Sequence, residues 1–200
     1  MTKTLLLLRH AKSSWKDEKL KDFDRPLKRR GEKDARRIGL VLVEAELVPQ
    51  VILSSPALRA KQTAGLAAEQ SKFKGDLQFV DSFYPGMPKD YIEELKKLPD
   101  QVERVMVVGH NPGLDDLLHT FDTRLDTLST GTLAYLSLHI KHWAGLTRAT
   151  MGELISFWEP EEIIPDEMEA VMGKDKDKDK KDKDEKKKDK KKKDKKKDKK

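Results

Sequence analysis

Two histidines stand at the ends of apolar runs, Leu5-Leu6-Leu7-Leu8-Arg9-His10 and Val105-Met106-Val107-Val108-Gly109-His110. Imidazole is the side chain whose charge changes near neutral pH, and it can act as nucleophile, base or hydrogen-bond donor. An arginine precedes the first histidine, and a second arginine closes the run Ser54-Ser55-Pro56-Ala57-Leu58-Arg59. A guanidinium forks onto anionic oxygens with fixed geometry, so Arg9 and Arg59 can clamp a phosphoryl group in a way that lysine cannot. The chain contains no cysteine, which removes a thiolate nucleophile, a disulfide and a thiolate metal site together. It also lacks a Gly-x-x-x-x-Gly-Lys-Ser/Thr loop and the His-x-x-x-His or Cys-x-x-Cys ligand spacings. The chemistry that remains is phosphoryl binding by arginine and histidine, with no metal or other cofactor called for.

Elements must bring these residues together. Continuous apolar character over 4–9, 51–54 and 104–109 predicts strands buried on both faces, the centre of a parallel sheet. Further strands are expected over 77–80, 133–138 and 154–158, the last two antiparallel to the rest. Helical patterns fall over 28–46, 56–70, 89–97 and 113–121, with Pro56 suited to a first helical turn. In an open α/β sheet, ligands bind beyond the C-terminal strand ends, so Arg9, His10, Arg59 and His110 should share one edge. Helices starting after Pro56 and Pro112 would add partial positive charge there.

Residues 174–200 contain only lysine, aspartate and one glutamate: 18 lysines and 9 acids, a charge of +9. Removing them from the 42 basic and 36 acidic residues leaves 24 and 27, so residues 1–173 carry −3. The basic character belongs to the tail. A segment without apolar residues cannot offset the entropy of ordering and is expected to be disordered. It offers either weak attraction to polyanions such as RNA, anionic lipid or acidic protein, or solvation alone; interspersed aspartate favours solvation. No specific nucleic-acid partner is expected, and Leu5–Leu8 is too short for a signal-peptide core or membrane span, which points to the cytoplasm.

Four motifs occur in order: Arg-His-Ala-Lys-Ser-Ser-Trp from residue 9, Asp-Phe-Asp-Arg-Pro-Leu from 22, Ser-Ser-Pro-Ala-Leu-Arg-Ala-Lys-Gln-Thr-Ala from 54, and Val-Gly-His-Asn-Pro-Gly-Leu from 108. Together they resemble the SixA-type phosphohistidine phosphatases of the histidine phosphatase superfamily, over about residues 3–160. Ala11 stands where the superfamily usually has glycine, a change between small residues. The resemblance implies a single-domain α/β three-layer sandwich with a mostly parallel sheet, phosphoglycerate-mutase-like, over residues 1–165. A linker and the Lys/Asp-rich tail would occupy 166–200. It further implies that neutral His10 attacks phosphorus and is transiently phosphorylated, while Arg9, Arg59 and His110 hold the equatorial oxygens. The implied substrate is protein phosphohistidine, because no long insertion encloses a small sugar phosphate. Small phosphoesters, or a phosphoprotein-binding adaptor with little turnover, are the alternatives.

The proton donor to a leaving group is less defined. Asp22 is the first candidate and Asp24 the second, and either could instead cap a helix beginning near Pro26. Arg25 and Asn111 are candidate substrate contacts, and Arg25 could equally pair with an acid. Tyr84-Pro85-Gly86 reads as a pocket wall or an ordinary turn. His119, His139 and His142 lie outside every motif and read as surface or packing residues. Trp15, Trp143 and Trp158 are scattered, without the basic neighbours of a base-stacking platform, and suit core or rim packing.

Overall fold

The computed structural model describes residues 2–160. The expected boundary at 165/166 and the Lys/Asp-rich tail lie outside the described residues. Six strands form one sheet: β1 (Lys3–Arg9), β2 (Val51–Ser54), β3 (Asp76–Phe79), β4 (Arg104–Gly109), β5 (Leu133–Leu138) and β6 (Gly152–Trp158). Their order is β3-β2-β4-β1-β5-β6. The first four are mutually parallel, and β5 is antiparallel to β1 as expected. β6, expected to oppose the sheet as well, is antiparallel to β5 and therefore runs parallel to β1–β4, because a strand that returns beside its predecessor reverses direction again. Four helices cover the faces: α1 (Arg29–Glu44), α2 (Leu58–Gln70), α3 (Pro88–Leu95) and α4 (Gly113–Phe121).

The alternation along β1 explains the three layers, because successive side chains of a strand point to opposite faces. Leu6 and Leu8 pack with Ile38, Val41 and Leu42 of α1 and with Ala60, Ala64 and Ala67 of α2. Leu5 and Leu7 pack with Tyr91 and Leu95 of α3 and with Leu114, Leu117 and Phe121 of α4. A strand buried on both sides reads as an unbroken apolar run, which is why β1 and β4 stand out in the sequence.

Element ends depart from the sequence reading in instructive ways. Helix α1 stops at Glu44 because Glu46 takes a left-handed conformation, φ 55°, that a right-handed helix cannot contain. Pro56 lies ahead of α2, whose N-cap is Ala57, and not within the first helical turn. Asp22–Asp24 form a separate single turn of 3₁₀ helix, and α1 begins later, after Lys28, without a side-chain cap. Neither aspartate therefore caps α1. No helix among the described residues is long and apolar enough to cross a membrane.

Candidate active site

Register brings the histidines together. β1 and β4 are neighbours with Arg9 level with Gly109, so the next residue of each strand, His10 and His110, leaves the sheet at the same height. The His10 amide donates to the Gly109 carbonyl at 3.1 Å, and the two imidazole centroids lie 5.1 Å apart. β2 ends one strand further along, with Ser54 level with Val108. The turn after it places Ser55 against His110 and carries the chain into α2, whose first turn holds Arg59.

His10 is nearly buried, and its Nδ1 lies 2.8 Å from the Ala11 carbonyl. A carbonyl only accepts, so Nδ1 carries the proton and Nε2 is left with a lone pair. The Arg59 Nε–H donates to that Nε2 at 3.2 Å. Burial pushes the His10 pKa down to about 4; the Ala11 carbonyl opposes this, and Arg59, Arg9 and Arg25 reinforce it. At neutral pH the ring is uncharged, and its Nε2 lone pair accepts from Arg59. Thr63 holds the loop: its hydroxyl accepts the Ala11 N–H at 3.0 Å and donates to the Arg59 carbonyl at 2.7 Å.

His110 is also buried, and its Nε2 lies 2.7 Å from the Ser55 hydroxyl. Its Nδ1 is buried with no hydrogen-bond partner among the described residues. Burial first, then His10 and Arg59, push its pKa down to about 3. Arg9 donates from Nη1 to the Leu128 carbonyl at 2.6 Å, while its Nε is buried without an acceptor. Buried nitrogens without a protein partner among the described residues, gathered at one strand edge, suit an anion site, since leaving them unmet costs free energy.

Asp22 reaches this site from the loop between β1 and α1. Its Oδ2 accepts from Arg59 Nη2 at 2.9 Å and from the Tyr84 hydroxyl at 2.8 Å, and Arg25 Nε lies 2.9 Å from Oδ1. Burial alone would raise its pKa, but the Tyr84 hydrogen bond, Arg59 and Arg25 outweigh this and hold it below the usual carboxylate value. Arg25 is buried, pairs with Asp22, and stacks under the exposed Trp15 ring at 3.4 Å from its centroid. The Tyr84 ring stands edge-on to His110 at 5.5 Å, which makes it a wall of the site and more than a turn residue.

Asn111 sits beside His110, but its amide nitrogen is committed to Asp115 at 2.6 Å and the Leu128 carbonyl at 3.0 Å. It braces the loop that receives Arg9. Asp24 makes none of the contacts of Asp22. His119, His139 and His142 are exposed, Trp143 is fully buried, Trp158 is partly buried and Trp15 is on the rim. Sequence reasoning missed Ser55, Thr63 and Asp115. The first two stand inside the third motif, whereas Asp115 is visible only through its contacts. Among the described residues, no three His, Asp or Glu side chains cluster as a metal site.

A family model of the histidine phosphatase superfamily (branch 1) matches residues 5–82. An uncharacterised chloroplastic protein of Arabidopsis thaliana is 32% identical over 154 residues, spanning 72% of this chain and 70% of that one. The chain belongs to the histidine phosphatase superfamily. Within it, a crystal structure assigned to the phosphohistidine phosphatase SixA of Agrobacterium tumefaciens is similar, with a TM-score of 0.68 and 27% identity. That match covers 80% of this chain and 99% of the other. The superfamily fold seen here, a mostly parallel sheet between two helical layers, is thus the one the motifs imply. A 2,3-bisphosphoglycerate-dependent phosphoglycerate mutase of Thermobifida fusca is 43% identical over 70 residues, 34% of this chain and 28% of the mutase.

Proposed function

We propose that this superfamily member is a phosphatase in which His10 is the nucleophile and that its substrate is phosphohistidine on a protein. The observation that carries the reading is the His10 tautomer: Nδ1–H bound to the Ala11 carbonyl leaves a buried, uncharged Nε2 lone pair beside Arg59. In the first half-reaction Nε2 attacks phosphorus in line, a P–N bond forms, and the bond to the leaving group breaks with its electron pair. In the second, water attacks phosphorus, the P–Nε2 bond breaks, and inorganic phosphate and neutral His10 result. Arg9, Arg59 and His110 stabilise charge on the transferring group, the main catalytic contribution available to a protein in phosphoryl transfer.

Asp22 is ionised in this arrangement, so donating a proton requires it first to leave Arg59 and gain one. An imidazole leaving group that is already protonated needs no such donor, whereas an alkoxide does. The acid arrangement therefore favours an N–P bond over an O–P bond. Arg25 fits a supporting role, orienting Asp22 and adding positive charge. The mutase similarity supports small phosphoesters as the second reading. The proposed setting is the cytoplasm; location in a plastid, as in the Arabidopsis relative, is separated from it by imaging a tagged chain.

The test is phosphate release from a phosphohistidine-bearing protein and from a small phosphoester, for wild type and His10→Ala. His10→Ala should lower release from phosphohistidine on the order of 10³-fold or more, the scale of losing a nucleophile. Release that survives the substitution, or tight binding without turnover in wild type, would overturn the reading.

A further inference from the structure

We propose that Ser55 is a positioning residue that fixes the tautomer of His110, so that an N–H and not a lone pair is presented to the phosphoryl oxygens. The inference rests on the phosphatase reading above for its consequence, but on the hydrogen bonds of Ser55 for its substance. The Ser55 side chain is fully buried. Its hydroxyl oxygen receives the Ala57 N–H at 3.3 Å and lies 2.7 Å from His110 Nε2. A hydroxyl has one proton to give. The Ala57 amide fills one of the two lone pairs of the oxygen, and among the described residues His110 Nε2 is the acceptor within reach of the hydroxyl proton, so the contact to Nε2 is the one that uses it.

If Ser55 donates, His110 accepts at Nε2 and, being neutral, carries its proton on Nδ1. Nδ1 is the ring nitrogen left without a protein partner, and it is buried beside His10. The other tautomer would turn an unshared electron pair on Nδ1 toward an anion and leave the Ser55 proton without the Nε2 acceptor. Both penalties fall on buried groups, where an unmet polar atom is expensive. The two histidines thus share the Nδ1–H tautomer but face the site with opposite atoms. His10 has Nδ1–H tied to the Ala11 carbonyl and shows a lone pair, whereas His110 has Nε2 tied to Ser55 and shows a donor. Swapping either tie would exchange nucleophile for donor character.

The pair of ties has a topological origin. Ser55 follows β2, its amide donates to the Val108 carbonyl at 2.9 Å, and His110 comes two residues after Val108 on the neighbouring strand. The sheet edge itself therefore delivers the hydroxyl to the ring.

The experiment is a long-range ¹H–¹⁵N correlation on the full-length, ¹⁵N-labelled protein at neutral pH, reading the protonation of each ring nitrogen of His110. Wild type should show Nδ1–H. Ser55→Ala should move His110 toward the Nε2–H tautomer, with His10 still Nδ1–H as the sign of an intact fold. Ser55→Thr, which keeps the hydroxyl, should restore Nδ1–H. Phosphate release should fall roughly tenfold to a hundredfold in Ser55→Ala, the range for one buried hydrogen bond, and recover in Ser55→Thr. An Nε2–H tautomer in wild type, or an unchanged tautomer in a folded Ser55→Ala, would overturn the inference. Because the tautomer is read without substrate, a protein that releases no phosphate would sink the phosphatase reading alone.

Discussion

At the residue scale, the site is built by deciding which atom of each polar group is already taken. His10, His110 and Arg59 are all legible in the motifs, but their working atoms are set by the Ala11 carbonyl, Ser55 and Asp22, which the motifs do not single out for those tasks. Asp22 shows the consequence. Bound to Arg59, Arg25 and Tyr84, it is a carboxylate, and only a substrate that requires a proton donor calls it out of that arrangement. Asp22→Asn should therefore separate substrates: turnover of a small phosphoester should fall by about 10²-fold or more, the usual worth of a general acid, and turnover of phosphohistidine far less. Side-by-side steady-state assays of the two substrates decide it. An equal loss on both would mean that Asp22 acts by holding the arginines.

At the scale of elements, the nucleophile loop is held by close packing against α1. The Lys28 amide donates to the Lys12 carbonyl at 2.8 Å, and a Cβ on Gly31 would run into that same carbonyl oxygen. Alanine normally improves a helix interior by up to about 1 kcal/mol over glycine, but here it must displace backbone two residues from His10. The clash wins, because backbone cannot swing aside as a flexible side chain can. Gly31→Ala should destabilise the protein by about 1–3 kcal/mol in urea unfolding, the usual cost of overpacking, and should lower phosphatase turnover with it. The strands themselves were readable in the sequence. β2, β4 and β5 have the bounds expected, since an apolar run bounded by polar residues is a local signal. Helix ends were less so: the left-handed Glu46 and the early Pro56 reflect how the chain is received by its neighbours.

At the scale of the whole molecule, charge is divided between residues 1–173, which carry −3, and a Lys/Asp-rich tail of +9. Among the described residues the groups of the candidate site come from residues 9–128, and the tail, whose interspersed lysine and aspartate suit solvation, is expected to be separate from the chemistry. Deleting residues 174–200 should leave turnover of a small phosphoester within about twofold, because tail charge acts on encounter and is screened by salt. A clear loss at moderate ionic strength would tie the tail to the site. The sequence by itself determined where the strands lie, the family, and the motifs that carry Arg9, His10, Arg59 and His110, because apolar runs and dense motifs are local properties of a chain, whereas the direction of β6 was not among them. Only the tertiary structure decided that Asp22 pairs with Arg59 and caps no helix, that Asn111 braces a loop, that the Ser55 hydroxyl meets the His110 ring, and that Thr63 ties the Ala11 amide to the Arg59 carbonyl. Those roles depend on hydrogen bonds between residues far apart in the chain, whose partners are chosen by strand register and burial and leave no periodic trace in the order of amino acids.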